Sequence, residues 1–159
     1  MIVTLNVAIN RNRHSRTCHT GIASVCDEVA VCCMKALEGS SPSSQNLDSG
    51  CLTVRASMYD RLRASFFTTP GDRTVLDIVS SLQMAGRSVC EGRADERTLE
   101  GLAAFMETVA RHERGSTDID DVRNEASAFL IHNPDADDCL RASVIAVSES
   151  LGELAEGSP

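Results

Sequence analysis

Apolar residues recur along this chain in two rhythms. Residues 2–9 alternate, with Val3, Leu5, Val7 and Ile9 on one side and Thr4, Asn6 and Ala8 on the other. A period of two predicts an extended strand. From Thr20 the spacing shifts to steps of three and four, the period of a helix with one buried face. Ile22, Val25, Val29, Cys32/Cys33 and Ala36/Leu37 make the first helical stripe, and Gly39 is its expected stop. Residues 38–50 are rich in Ser, Gly, Pro and Asn and read as a flexible loop. The next stripe, Leu52, Ala56, Tyr59, Leu62 and Phe66, is the most regular. It closes before Thr69-Pro70-Gly71, because the residue before a proline resists the α conformation.

Asp72 is the expected cap of the following helix, whose stripe Val75, Ile78, Val79 and Leu82 runs up to Gly86. A polar connection leads to Asp95, a second cap candidate. Leu99, Leu102, Ala103, Phe105, Met106 and Val109 then cover more of the helical circumference than any other segment, which predicts a central helix. Gly115-Ser116 ends it, and Thr117-x-x-Asp120 resembles a capping box with the shorter acid in place of Glu. Ile119, Val122, Ala126, Phe129 and Leu130 follow, closed by Asn133-Pro134. Asp135 or Asp137 caps the last helix, with Leu140, Val144, Val147, Leu151 and Leu154 in register. The expected architecture is all-α: six helices, one of them central and hydrophobic. Residues 1–19 form an extended arm ahead of a single domain at 20–159. A lone strand has no sheet to join within the chain, so the arm either pairs with a second copy, making a homodimer, or packs irregularly.

Composition narrows the class. At 159 residues and 42% hydrophobic, the chain can bury one core. With aromatics at 3% and no Trp, that core is aliphatic and alanine-rich, which suits close helix packing. A net charge of −8 argues against non-specific binding to nucleic acid or to anionic membranes, which require a basic surface. No apolar run approaches the roughly 20 residues of a membrane span, and the polar, acidic stretch from Leu151 to Pro159 gives no expectation of a tail anchor. Residues 1–26 contain no acid but carry Arg11, Arg13 and Arg16, a faint likeness to a mitochondrial presequence that the asparagines and the alternation fit poorly. Seven cysteines in no recurring pairs read as small buried hydrophobes in a reducing compartment.

The chain carries no phosphate-cradling glycine loop, Cys-x-x-Cys unit, nucleophile elbow or His-Glu-x-x-His helix. Cys18-His19 and Cys32-Cys33 are adjacent pairs, and neighbours on a helix diverge by about 100°, too far to close a tetrahedral metal site. His112 stands at a helix end, where exposed carbonyls would hold it, and Asp118, Asp120 and Asp121 stand at a helix start, where capping accounts for them. The expectation is a non-enzyme with no cofactor and no metal, acting by binding another protein.

Leu52-Thr-Val-Arg-Ala56-Ser57-Met-Tyr59 resembles the third BH motif of the Bcl-two (B-cell lymphoma two) family of apoptosis regulators: a leucine, a small residue four later, a polar site, then an aromatic. Residues 59–67, Tyr-Asp-Arg-Leu-Arg-Ala-Ser-Phe-Phe, continue as that family's second helix does. Thr69-Pro70-Gly71 and Ile78-Val79-Ser-Ser-Leu82 look like its turn and fourth helix, and Leu99–Val109 falls where its buried fifth helix belongs. The likeness covers about residues 20–154 in order. Asn-Trp-Gly-Arg and the tryptophan-bearing second BH motif are absent, and Ser57 replaces the BH-three aspartate, erosion like that of divergent viral homologues.

The resemblance implies a hydrophobic groove that receives the BH-three helix of a pro-death partner, as helix-in-groove recognition does. Its lining would be Tyr59, Leu62, Phe66, Val75, Ile78, Val79 and Leu82, with Leu99, Leu102 and Phe105 beneath. Arg97, with Arg93 as rival, would pair with the ligand's aspartate. The implied function is inhibition of apoptosis by sequestering BH-three proteins in the host-cell cytosol or at the mitochondrial surface. The alternatives are a viral adaptor of the same fold with a closed groove, or a small helical metal protein or enzyme.

Overall fold

The computed structural model describes residues 21–40, 42–65 and 70–156, with the side chains of 58–65, 70 and 72 outside that description. The expected arm at 1–19 therefore lies outside the described residues. Six helices make up the rest: α1 (21–37), α2 (Gln45–Ser65), α3 (Pro70–Cys90), α4 (Glu96–Glu113), α5 (Ile119–His132) and α6 (Asp138–Glu156). No strand occurs among the described residues, so the chain is an all-α helical bundle.

Helix ends follow local chemistry. Gly39, Gly92 and Gly115 have φ of 80°, 75° and 82°, the left-handed region where only glycine avoids a Cβ clash. Each sits just past a helix, and the residue after it donates its N–H back across the last turn: Ser40 to Lys35, Arg93 to Ser88, Ser116 to Arg111. This is the Schellman closure, which satisfies carbonyls that the helix leaves open. Asp95 caps α4 as expected, its carboxylate accepting the Thr98 N–H at 2.8 Å. That bond favours the ionised form and holds the Asp95 carboxyl below its usual range.

Several boundaries differ from expectation. Helix α2 starts at Gln45, inside the segment expected to be loop, because Leu47 anchors it in the core. Helix α3 starts at Pro70, whose preset φ suits a first helical turn, so Asp72 falls inside the helix. It then runs through Gly86 to Cys90. Gly86 is not a stop; a Cβ there would sit 2.0 Å from Leu47 Cδ2, so the missing side chain lets α2 approach α3. Asp118, one residue later than the expected Thr117, caps α5 by accepting the Asp121 N–H at 3.1 Å. The Thr117 hydroxyl is left buried without a partner. Asp137 immediately precedes α6, and its carbonyl accepts the Arg141 N–H.

Of α2 to α6, α3 and α6 share the broadest interface, followed by α4 with α5. Helix α3 also pairs with α2, where Arg55 reaches Ser80 and Gln83, and Gln83 donates to Asp48. Helix α1 lies against α2, with Gly21 beside Val54 and Gly50 beside Val25. It is tied to the end of α4 by the Asp27–Arg114 ion pair. The expected central helix is thus not enclosed. Helix α4 buries Leu99, Leu102, Phe105, Met106 and Val109 but exposes Arg97, Glu100, Ala104, Glu107 and Arg111 along one continuous stripe. Four charges at helical spacing need water, and that requirement outweighs the width of the apolar arc.

Candidate protein-docking site

The described residues among those expected to line a groove are buried rather than set on an open face. Val75, Ile78, Val79 and Leu82 of α3, and Leu99, Leu102 and Phe105 of α4, are all buried in the one hydrophobic core. Helices α3 and α4 share little direct backbone contact, and their apolar faces meet in the common core. Tyr59 and Leu62 belong to α2, but their side chains, and the whole of Phe66, lie outside the described residues. At the start of the same helix the buried face is Leu47, Cys51 and Val54. Leu52 is 64% exposed and Ala56 is exposed, so this part of the BH-three-like stripe faces solvent. Arg97 is exposed in the first turn of α4 and borders a shallow pocket toward Phe129 and His132 of α5. Arg93 is paired with Glu91 at 2.8 Å.

Exposed apolar surface lies elsewhere. Val31 is 46% and Met34 51% exposed, and both line a groove of about 690 Å³ between α1 and α4. The two helices run antiparallel here, since Asp27 near the start of α1 meets Arg114 at the end of α4. Ala30, Leu37, Ala103 and Ala104 complete an apolar floor, and Asp27, Glu100 and Glu107 form the rim. The small alanines on α4 leave room that larger residues would fill. Asp27 is neutralised by Arg114. Glu100 and Glu107 make no ion pair among the described residues, and the charged side chains that line the rim are all acidic, with Arg97 and Arg111 farther along the same stripe of α4.

A second cleft of about 670 Å³ separates α5 from α6 and exposes Ile145. It is bridged by its own chemistry: Arg123 lies over Gly152 and pairs with Glu156 at 2.6 Å and with Asp120 at 3.6 Å. At the α5–α6 junction, Arg141 donates to the Leu130 and Asn133 carbonyls at 3.1 and 2.8 Å, satisfying the end of α5. Buried Asn133 donates to the Phe129 carbonyl at 3.0 Å and accepts from the Thr98 hydroxyl at 3.4 Å, joining α5 to α4.

The described thiols are free, and Cys26, Cys32, Cys33 and Cys51 are buried. Burial, with the neighbouring Cys90, pushes Cys32 up to about 11, and burial pushes Cys33 up to about 12. Thiols held protonated in this way are poor nucleophiles and poor metal ligands at neutral pH. No group of three potential metal ligands converges among the described residues, and Cys18-His19 lies outside them. His112 Nδ1 lies 3.2 Å from the Thr117 carbonyl, the helix-end role its position suggests. No described helix is long and apolar enough to cross a membrane.

The α1–α4 groove escaped the sequence pattern. Val31 and Met34 sit off the buried stripe of α1, and Glu100 and Glu107 look like an ordinary solvated face of α4. The available signal was two large apolar residues three apart on the polar side of an amphipathic helix. Comparison with family models, curated proteins and solved structures gives no match.

Proposed function

We propose that this chain is a non-catalytic helical adaptor that acts by binding other proteins, in the closed-groove form that the Bcl-two resemblance allows. One observation carries the proposal. The side chains expected to floor a BH-three trench are spent on the common core, while Val31 and Met34 stand exposed on a different face. A foreign helix at Val79 and Leu82 would have to displace α2 or α6, giving up packing that burial of each such side chain stabilises by roughly 1.5–3 kcal/mol. In a virus-infected cell, such an adaptor would work in the host cytosol or at the mitochondrial surface by occupying a signalling partner.

The test is a titration of the full chain with pro-death BH-three peptides, followed by fluorescence anisotropy and by backbone amide shifts. The closed form predicts no micromolar binding while the helical circular-dichroism spectrum stays intact. Micromolar binding with shifts at Val79 and Leu82, weakened by Arg97→Ala, would sink the closed form. It would establish instead an inhibitor of apoptosis that opens to sequester BH-three helices.

A further inference from the structure

Taking as given that the chain binds proteins, we infer that the α1–α4 groove docks a cationic amphipathic helix: apolar residues along one face, with Lys or Arg on the flanks. The groove runs from Asp27 to Leu37 along α1 and from Glu107 to Glu100 along α4. That is about three turns, or roughly 15 Å, at the rise of an α-helix. A helix laid between two antiparallel helices would present residues at i, i+3 or i+4 and i+7 to the floor. Met34, 51% exposed, is unbranched and polarisable and adapts to different apolar partners, and Val31 stands beside it. Ala103 and Ala104 leave space opposite for a leucine-sized side chain.

Charge selects the occupant. Asp27 already holds Arg114, so the charge left at the rim is that of Glu100 and Glu107. The charged side chains lining the groove are all acidic, while Arg97 and Arg111 of the same α4 stripe stand about one turn beyond its ends. A second copy of this chain fits badly, because a two-fold contact would set these acids against themselves and the whole chain carries a net −8. An anionic lipid surface is disfavoured for the same reason. A flanking Lys or Arg on the incoming helix meets both glutamates at the rim, where charge governs encounter and register.

The experiment uses the full-length chain and two labelled peptides of about 18 residues with identical leucine faces, one flanked by Lys and Arg and its twin by Glu. The cationic peptide should bind at least about tenfold more tightly than its twin at 0.15 M salt, and the gap should shrink as screening increases. Met34→Glu should weaken it about tenfold or more, with the circular-dichroism spectrum unchanged. The pair Glu100→Lys and Glu107→Lys should reverse the preference, so that a gain of binding by the anionic twin guards against misfolded variants. Equal binding of both peptides, or indifference to Met34→Glu, would overturn the assignment. So would a dimer in light scattering that Met34→Glu dissolves, since the groove would then face a second copy. If a peptide binds but its amide shifts map to α5–α6 or to α3, the groove assignment falls and the adaptor function stands. If neither these peptides nor BH-three peptides bind anywhere, the adaptor function falls as well.

Discussion

Gly86→Ala sets two effects against each other, and the structure decides the sign. Glycine inside a helix costs about 0.8–1.0 kcal/mol relative to alanine, so on propensity alone the substitution stabilises. The new Cβ, however, would lie 2.0 Å from Leu47 Cδ2, 3.3 Å from Cγ and 3.5 Å from Cδ1. Carbon atoms pack at about 3.5–4.0 Å, so Leu47 or the whole of α2 must retreat by about 1.5 Å. Leu47 is fully buried, so its Cδ2 can yield only by a change of rotamer within a close-packed core. Overpacking of this kind costs about 1–3 kcal/mol, sometimes more, and it outweighs the gain. The expected result is a net loss of about 1–2 kcal/mol, or about 3–6 °C in Tm for a domain of this size. Urea unfolding followed at 222 nm measures it. Gly50→Ala is the internal control: its Cβ would meet only Val25 Cγ2, at 3.4 Å, so the propensity term survives and stability should rise by about 0.5 kcal/mol. A double-mutant cycle completes the test, because Leu47→Ala should cost less in the Gly86→Ala background than in the natural chain. If Gly86→Ala matches or exceeds the natural chain in stability, the close α2–α3 approach is wrong.

Phe105→Ala empties the largest fully buried side chain of α4 and should cost about 3–5 kcal/mol in the same unfolding assay; a loss below about 1 kcal/mol would place that helix face outside the core. Asn133→Ala strands the Thr98 hydroxyl and removes the bond to the Phe129 carbonyl, for an expected loss of about 1–3 kcal/mol. Alkaline pH should destabilise the fold through Cys32 and Cys33. Unfolded thiols ionise near 9.0 while the folded ones hold their protons to about 11 and about 12, so the unfolded chain sheds protons first. Stability from this source is complete below pH 9 and declines as pH rises toward 11–12. In unfolding curves from pH 8 to 11, the Cys32→Ala/Cys33→Ala variant should show a shallower decline; an unchanged slope would refute the assignment.

Helix type and helix ends were legible in the amino-acid sequence because they depend on groups within about one turn. Gly39 and Gly115 stop helices where expected, and Asp95 starts one, since a left-handed φ and a capped N–H are local facts. Gly86 shows where that logic ends. It carries the same chemical permission as Gly39, yet it serves a neighbouring helix, and only the position of Leu47 reveals which role applies. Leu47 itself sat within a serine-rich stretch that looked like loop, and the core drew it into α2.

The choice of buried face belongs to tertiary structure in the same sense. The Leu52–Ala56 stripe was regular, but α2 buries Leu47, Cys51 and Val54 instead, because α1 and α3 lie on that side. Arg141, whose guanidinium closes α5 from the first turn of α6, gave no local sign of that role. The α1–α4 groove depends on two helices far apart in the chain meeting antiparallel, which sets Met34 near Glu100 and Glu107. The chain's own chemistry determined that it forms helices and where most of them stop. Which surfaces those helices hide, and which they leave for a partner, was decided by the packing of distant segments, whose contact energies no single stretch of sequence contains.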